Sequence, residues 1–394
     1  MTETDSETVK APKRIFFYVQ HLLGIGHLVR ASRIAAALHA AGMEVTLVTG
    51  GNPIEGFPGP NVRHVQLPAV LSSSTGFSGL IDADGRRVDE RFEARRAALL
   101  IEAFQAAAPD AVLIEAFPFG RRQMRFELLP LLEAIRQASP RPLLYSSVRD
   151  ILQENRKPGR DRETADLVVD YFDGVLIHGD PQFVRLEDTF PLAGDIAGKV
   201  HYTGLVAPQT PVPSPDRFDV VVSAGGGAVG AALVEAALDA RDILSDDRSW
   251  CLIAGPNMPA EAFDRLSARA DKHVALVRFR TDFPSLLMNA ELSISQAGYN
   301  TVCDLLLATC GCVLVPFASG GETEQTMRAE KLASLGFAEV VGEQQLSGET
   351  LAAAIGRVRQ RPARPQISIL MDGAETTTAL IGQQLDARAA ASGS

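Results

Sequence analysis

The sequence predicts an α/β protein: two doubly wound domains facing each other across a cleft. Three observations carry this. Short apolar runs alternate with segments of helical periodicity along nearly the whole chain, as in parallel sheets covered on both faces. The alternation breaks once, at APQTPVPSPDR (207–217), whose four prolines fit neither a helix interior nor a central strand. The halves on either side are of similar size, in a chain of 394 residues that has room for two ordinary domains. The expected divisions are a disordered tail (1–12), an N-terminal domain (13–206), a linker (207–217), a C-terminal domain (218–372) and a closing helix and tail (373–394).

The elements follow in order. Residues 14–19 are an apolar strand and Gly24–Gly26 a turn. Ala31, Ile34, Ala35 and Leu38 recur at helical spacing over 27–41, and Gly42 stops that helix. Strands are expected at 44–49 and 62–66, then a long polar-to-helical stretch over 71–108. A strand at 111–114, a helix at 127–138, a strand at 143–148, a helix at 164–171 and strands at 174–178 and 200–203 complete the first half. Beyond the linker come a strand at 219–223, a helix at 230–244, a strand at 250–253, a helix at 259–270, a strand at 274–277 and a helix at 282–289. Residues 292–295 form the next strand. Gly298 then turns the chain, and Asn300 is expected to cap a helix running to 309. A buried strand at 312–317 leads into the loop ASGGETEQ (318–325), which opens another helix. The last helix, 373–385, precedes a tail, ARAAASGS, expected to fray.

Composition narrows the function. A net charge of −10 argues against a nucleic-acid partner, which would want a basic face. Cys251, Cys303, Cys310 and Cys312 all lie on apolar segments, as buried reduced thiols of a cytoplasmic protein do. Cys310-Gly311-Cys312 has no nearby third ligand, so no metal site is expected. The polar N-terminus MTETDSETVKAPK does not read as a secretory signal, and no apolar run reaches the ~18 residues a spanning helix needs. Arg86, Arg87, Arg91, Arg95 and Arg96, beside Val70, Leu71, Phe77 and Leu80, could touch the anionic inner face of a membrane. A solvated helix face is the commoner use of such a set. Asp82-Ala83-Asp84 has a metal-nucleotide form but reads as a solvent turn.

Four loops carry chemistry. In Gly24-Ile25-Gly26-His27, the glycines allow close backbone approach, and the helix dipole disfavours the cationic imidazole of His27, leaving it able to act as a general base. Glu115 ends an apolar run at a strand's carboxyl end. It could orient His27 in the manner of a triad acid, or pair with Arg121 or Arg122. Gly225, Gly226 and Gly227 open a helix with concave N–H groups suited to phosphate, without the Lys-Ser/Thr of a P-loop. Gly298–Thr301 offers a helix end for phosphate, with Asp304 one turn in, where a carboxylate could accept a sugar diol. Asn300 and Asp304 are equally ordinary as a cap and a dipole-compensating acid.

Together these loops resemble the two-domain nucleotide-sugar glycosyltransferases of the GT-B fold, with two Rossmann-like domains, and within them family 28 and its lipid II-forming N-acetylglucosaminyl transferases. The resemblance spans Arg14 to Leu385 and is strongest over 219–341. It implies that Gly225–Gly230 and Gly298, Tyr299, Asn300 and Thr301 hold the donor diphosphate through backbone N–H. Arg280 would read the base through its backbone, and Asp304, where the family has Glu, would take the ribose. Glu324 and Gln325 would bind the donor sugar, and Gly24 and Gly26 would face the acceptor with His27. The implied reaction is a metal-independent, inverting transfer from a UDP-sugar, such as UDP-N-acetylglucosamine, with no cofactor. The acceptor stays open between a lipid-linked sugar, a polysaccharide end and a small molecule. The motif Gly24-x-Gly26-His27-x-x-Arg30 is similar to that of UDP-sugar hydrolases of nonulosonate synthesis, in which the histidine would activate water. A UDP-sugar 2-epimerase lacks a matching set of acids here. A non-catalytic nucleotide-sugar sensor would need the donor loops but no base.

Overall fold

The structure is a computed structural model that describes residues 11–22, 26–72, 79–154, 157–225, 230–318, 321–361, 365 and 368–392. Two parallel sheets form the two lobes. The first is built from β1 (Arg14–Val19), β2 (Glu44–Thr49), β3 (Arg63–Gln66), β6 (Ala111–Glu115), β7 (Leu143–Arg149), β8 (Gly174–His178) and β9 (Val200–Tyr202), in the order β3-β2-β1-β6-β7-β8-β9. A hairpin of β4 (Val70–Ser72) and β5 (Leu80–Asp82) stands apart from it. The second sheet is built from β10 (Val220–Ser223), β11 (Trp250–Ile253), β12 (Val274–Val277), β13 (Leu292–Ser295), β14 (Gly311–Leu314) and β15 (Glu339–Val340), in the order β12-β11-β10-β13-β14-β15.

Both orders reverse direction once, between β1 and β6 and between β10 and β13. In doubly wound sheets that reversal opens a crevice at the carboxyl ends of the strands. The central strands are mostly apolar because helices cover both faces: Ile15, Phe16, Phe17, Tyr18 and Val19 of β1 are all buried, as is every residue of β6. The covering helices of the first lobe are α1 (Gly26–Ala40), α2 (Glu90–Ala107), α3 (Arg125–Gln137) and α4 (Arg160–Tyr171). Those of the second are α5 (Gly230–Leu244), α6 (Ala260–Ser267), α7 (Phe283–Leu287), α8 (Tyr299–Leu307), α9 (Glu324–Ser334) and α10 (Gly348–Gln360).

The last helix, α11 (Gly373–Ser392), returns to the first lobe. Ala374, Ile381 and Leu385 join the core formed by Leu28, Ala31 and Ile34 of α1, and Lys13 Nζ donates to Gly382 O (2.9 Å) and pairs with Asp386 (2.7 Å). The chain re-enters by an antiparallel bridge between Val206 and Asp372. Gly204 sits at φ +86° there, and a Cβ on Gly373 would lie 2.3 Å from Gly204 O, so this crossing is closed to any larger residue. The helix continues to Ser392, beyond the Leu385 end expected from sequence, so residues 386–392 are helical and not a frayed tail. Residues 393–394 lie outside the described residues.

One further expectation changes, at Arg96, while the turn expected at Asp82–Asp84 is present. Arg96 does not belong to an exposed basic face. It is fully buried, pairing with Glu127 of α3 (Nε–Oε2 2.5 Å) and donating to Gln20 Oε1 (2.6 Å) and Gly50 O (2.8 Å), while Tyr18 shares Glu127. A buried guanidinium persists only when its donors are met in this way. Asp82 Oδ1 accepts the backbone N–H groups of Asp84 (2.9 Å) and Arg86 (2.8 Å), which makes IDADGRR a turn. No helix among the described residues is long and apolar enough to cross a membrane.

Candidate active site

The reversal point of the first sheet brings two titratable residues together. β1 leads into α1, whose second residue is His27, and the neighbouring β6 ends on Glu115. His27 Nδ1 lies 2.8 Å from Glu115 Oε1, which is fully buried. Arg30, one turn along α1, pairs with the same Glu115 oxygen, and Ser147 Oγ of β7 donates to Oε2 (2.7 Å). Glu115 therefore meets neither Arg121 nor Arg122; its counter-ion is Arg30. Burial alone would raise the Glu115 pKa, but the Arg30 charge and the bonds from His27 and Ser147 outweigh it and hold the carboxyl well below its usual range.

Burial pulls His27 down to about 3; its hydrogen bond to Glu115 opposes this, while the charges of Arg121 and Arg149 add to it. The ring is neutral at pH 7. Glu115 is ionised and can only accept, so Nδ1 carries the ring proton and Nε2 has a free lone pair. Among the described residues no side chain bonds that nitrogen.

The second lobe presents backbone at its own reversal point. Gly225 leaves β10 at φ +69°, and a Cβ there would lie 2.5 Å from Gln296 Oε1. A Cβ on Gly230 would lie 2.6 Å from Ala254 O. Gly230 is thus required by its packing against backbone, and Gly225 by its left-handed φ. Gly24, Gly226 and Gly227 lie outside the described residues. α8 begins after Gly298, not at Asn300: Gly298 is the N-cap, has no side chain to accept from the helix, and leaves the first-turn N–H groups of Tyr299, Asn300 and Thr301 without a side-chain cap. Asn300 instead reaches across the cleft, its Nδ2 donating to Gly26 O (3.2 Å). The N-termini of α1 and α8 therefore adjoin, with His27 beside both.

Several expected contact residues are otherwise engaged. Tyr299 is a buried bolt between lobes: its hydroxyl accepts from Val206 N (2.8 Å) and donates to His178 O (2.9 Å), and the guanidinium of Arg30 stands 5.1 Å from its ring centroid. Asp304 is nearly buried, with Arg33 of α1 3.9 Å away; burial, partly offset by Arg33, pushes its carboxyl up to about 7. Arg280 has its guanidinium fixed by Asp282 and Asp216 (2.7 Å each), which leaves its backbone as the free group, next to an exposed Phe279.

Glu324 is buried between Arg149 of the first lobe (2.6 Å) and Arg328 (2.7 Å), and Arg328 also forms a bidentate pair with Asp150 (2.7 and 3.0 Å). Gln325 Oε1 accepts from Ala297 N and Phe317 N (3.1 Å each), tying the exits of β13 and β14 together. Glu322 was missed by sequence reasoning: its Oε1 is buried and unpartnered among the described residues, so it is freer than Glu324 to accept a hydroxyl. No group of three or more metal-ligating side chains occurs among the described residues.

Comparison with known proteins bears on the fold and on the second lobe. Residues 220–379 match the glycosyltransferase family 28 C-terminal domain. The UDP-N-acetylglucosamine–N-acetylmuramyl-(pentapeptide) pyrophosphoryl-undecaprenol N-acetylglucosamine transferase of Brucella anthropi is 29% identical over 162 residues, 39% of this chain and 42% of that protein. Its counterpart from Phenylobacterium zucineum is 38% identical over 88 residues, 22% of this chain and 24% of that protein. Less than half of either relative's length is therefore matched. Among solved structures, MurG of Acinetobacter baumannii superposes with a TM-score of 0.58 at 17% identity, covering 94% of this chain and all (100%) of that one. A calicheamicin glycosyltransferase gives 0.59 at 15% identity, covering 96% and 98%. At such identities the likeness is one of fold, and the fold is GT-B.

Proposed function

We propose, from a family 28 C-terminal domain set in a GT-B frame, that this chain is an inverting glycosyltransferase that uses a UDP-sugar. The observation that carries the reading is the His27–Glu115 pair (2.8 Å) lying against the uncapped N-terminus of α8. A side-chain base and a backbone anion cradle are the two things such a transfer needs, and they meet at one point.

The acceptor hydroxyl gives its proton to His27 Nε2 as its oxygen attacks the anomeric carbon. The bond from that carbon to the diphosphate breaks on the opposite face, and its electron pair leaves on the phosphate oxygen. The first-turn N–H groups of α8 and the loop at Gly225 stabilise that charge as preorganised dipoles, so no metal is required. Free His27 is a weak base. A diphosphate beside it favours the imidazolium, so donor binding itself strengthens the base. Glu115 and Arg30 keep the ring oriented through the cycle.

The donor sugar would face Glu322, and the base the backbone at Arg280 with Phe279 beside it. Asp304 would reach a ribose only after Arg33 moves aside. N-acetylglucosamine as the sugar and a lipid-linked acceptor are taken over from the Brucella anthropi relative as part of this proposal.

The test is a thermal-shift panel of UDP, TDP and GDP on the wild type and on His27→Ala, followed by transfer assays. UDP at a hundred times its Kd should add ~2.7 kcal/mol of apparent stability to both proteins, with transfer lost only in the variant. Equal transfer by His27→Ala sinks the base, and no shift with any nucleotide sinks the donor site.

A further inference from the structure

The pair at the first reversal point does not end at Glu115. Ser147 Oγ contacts both Glu115 Oε2 (2.7 Å) and His178 Nε2 (2.9 Å), and His178 Nδ1 contacts Thr203 Oγ1 (2.8 Å). Glu115, Ser147 and His178 end or line the successive strands β6, β7 and β8, and all three are fully buried. Their donor and acceptor capacities leave one assignment. A serine hydroxyl has a single proton, and the ionised Glu115 accepts only, so that proton points to Glu115. His178 Nε2 must then donate to Ser147. Its Nδ1 keeps a lone pair and accepts from Thr203, whose other contacts are longer, at 3.3 and 3.4 Å. Every proton in the row points toward Glu115.

We infer that Ser147 and His178 are positioning residues: their one-directional hydrogen-bond row pins the Glu115 carboxylate so that His27 holds its proton on Nδ1 and offers Nε2 to substrate. The inference rests on the reading of His27 as base for its purpose, but the row itself is a property of the free protein. His178 cannot be a second base, because both of its nitrogens are engaged and no face of it is exposed. Its neutral form also follows from burial and the nearby Arg30 charge, which pull it down to about 3. The backbone carbonyl of His178 accepts from Tyr299 of the second lobe (2.9 Å), so the row ends where the two lobes touch.

The test needs no substrate. In the full-length protein labelled with ¹⁵N-histidine, protonated and bare ring nitrogens resonate far apart, and His27→Gln and His178→Gln assign the signals by deletion. At neutral pH the wild type should show His27 as the Nδ1–H tautomer and His178 as the Nε2–H tautomer. Ser147→Ala should turn His27 into a tautomer mixture. It should also move the onset of His27 protonation to higher pH, because a Glu115 relieved of one donor stabilises the imidazolium better against Arg30, Arg121 and Arg149, the other charged groups around the ring. His178→Gln, which keeps a donor toward Ser147, should leave His27 as in the wild type, and His178→Phe should behave as Ser147→Ala. An Nε2–H tautomer at His27 in the wild type overturns the inference. So does an unchanged tautomer and onset in both Ser147→Ala and His178→Phe. A merely structural role would lower their stability without moving either readout. If His27→Ala still transfers sugar, the function reading fails while the tautomer result stands.

Discussion

The two reversal points share one topology and are equipped in opposite ways. The first, between β1 and β6, is filled with side chains: His27, Glu115, Arg30, Ser147 and His178, tied together in a buried set. The second, between β10 and β13, presents backbone among its described residues: glycines and the uncapped start of α8, with its acids and amide set farther along the β13 and β14 exits. Doubly wound sheets supply a crevice wherever strand order reverses, and the residues there decide what it does. Proton transfer needs titratable groups in a fixed environment, whereas a leaving diphosphate needs amide dipoles and room.

That contrast can be broken from either side. The largest effect expected is from His27→Ala, with transfer down roughly 10²–10⁴-fold and nucleotide binding kept. Steady-state rates set beside UDP thermal shifts would check it, and loss of both would show that the two crevices do not divide the work. Next is Glu115→Ala. It strands the Arg30 guanidinium in the core, and removing one partner of a buried pair costs about 3–5 kcal/mol. Urea unfolding should show that loss, and a loss under about 1 kcal/mol would mean that water replaces the carboxylate. In the second lobe, Gly230→Ala puts a methyl against Ala254 O and should cost about 1–3 kcal/mol and weaken the UDP shift, while His27 and Glu115 stay intact.

The last test sharpens the picture through pH. Asp304 has its pKa raised by burial from 3.8 to about 7, so the folded state holds this proton more tightly than the unfolded chain does. Its contribution to stability therefore falls as pH rises from about 4 to about 7, and is constant above that. Asp304→Asn should remove that dependence. The stability gap between variant and wild type, read from urea melts at pH 5 and pH 8, should widen in the variant's favour at the higher pH. A gap that does not change with pH would mean that Arg33 already pairs fully with Asp304.

Much of this was legible in the sequence. Strand-helix alternation placed the sheets; Glu115 stood out because it closes an apolar strand, and His27 because it follows a glycine turn at a helix start. What escaped notice depends on register. Glu115 faces Ser147 because β6 and β7 align Ala111 with Leu143, and no single strand records that alignment. There were still signals: Ser146 and Ser147 interrupt an apolar strand, His178 closes another, and buried polar groups need partners. Arg30 was visible too, as a charge on the face of α1 that Ile34 and Leu38 mark as inward. Asn300 was misplaced as a cap because caps are read from local propensity, while this side chain is used to bridge the lobes. Arg96 reads as a surface charge, and Glu324 as an acid free to bind a sugar, because their partners lie 31 and 175 residues away in sequence, respectively.

The helix α11 has a consequence for how the protein is made. Its 20 residues, Gly373–Ser392, supply Ile381 and Leu385 to a core that begins at Ile15. During synthesis the first lobe emerges early but waits, with an oily furrow along α1 uncovered, until residues 373–392 have been made. A premature stop anywhere before Gly373 would spoil the half of the molecule made first, and would leave that furrow open to chaperones and proteases.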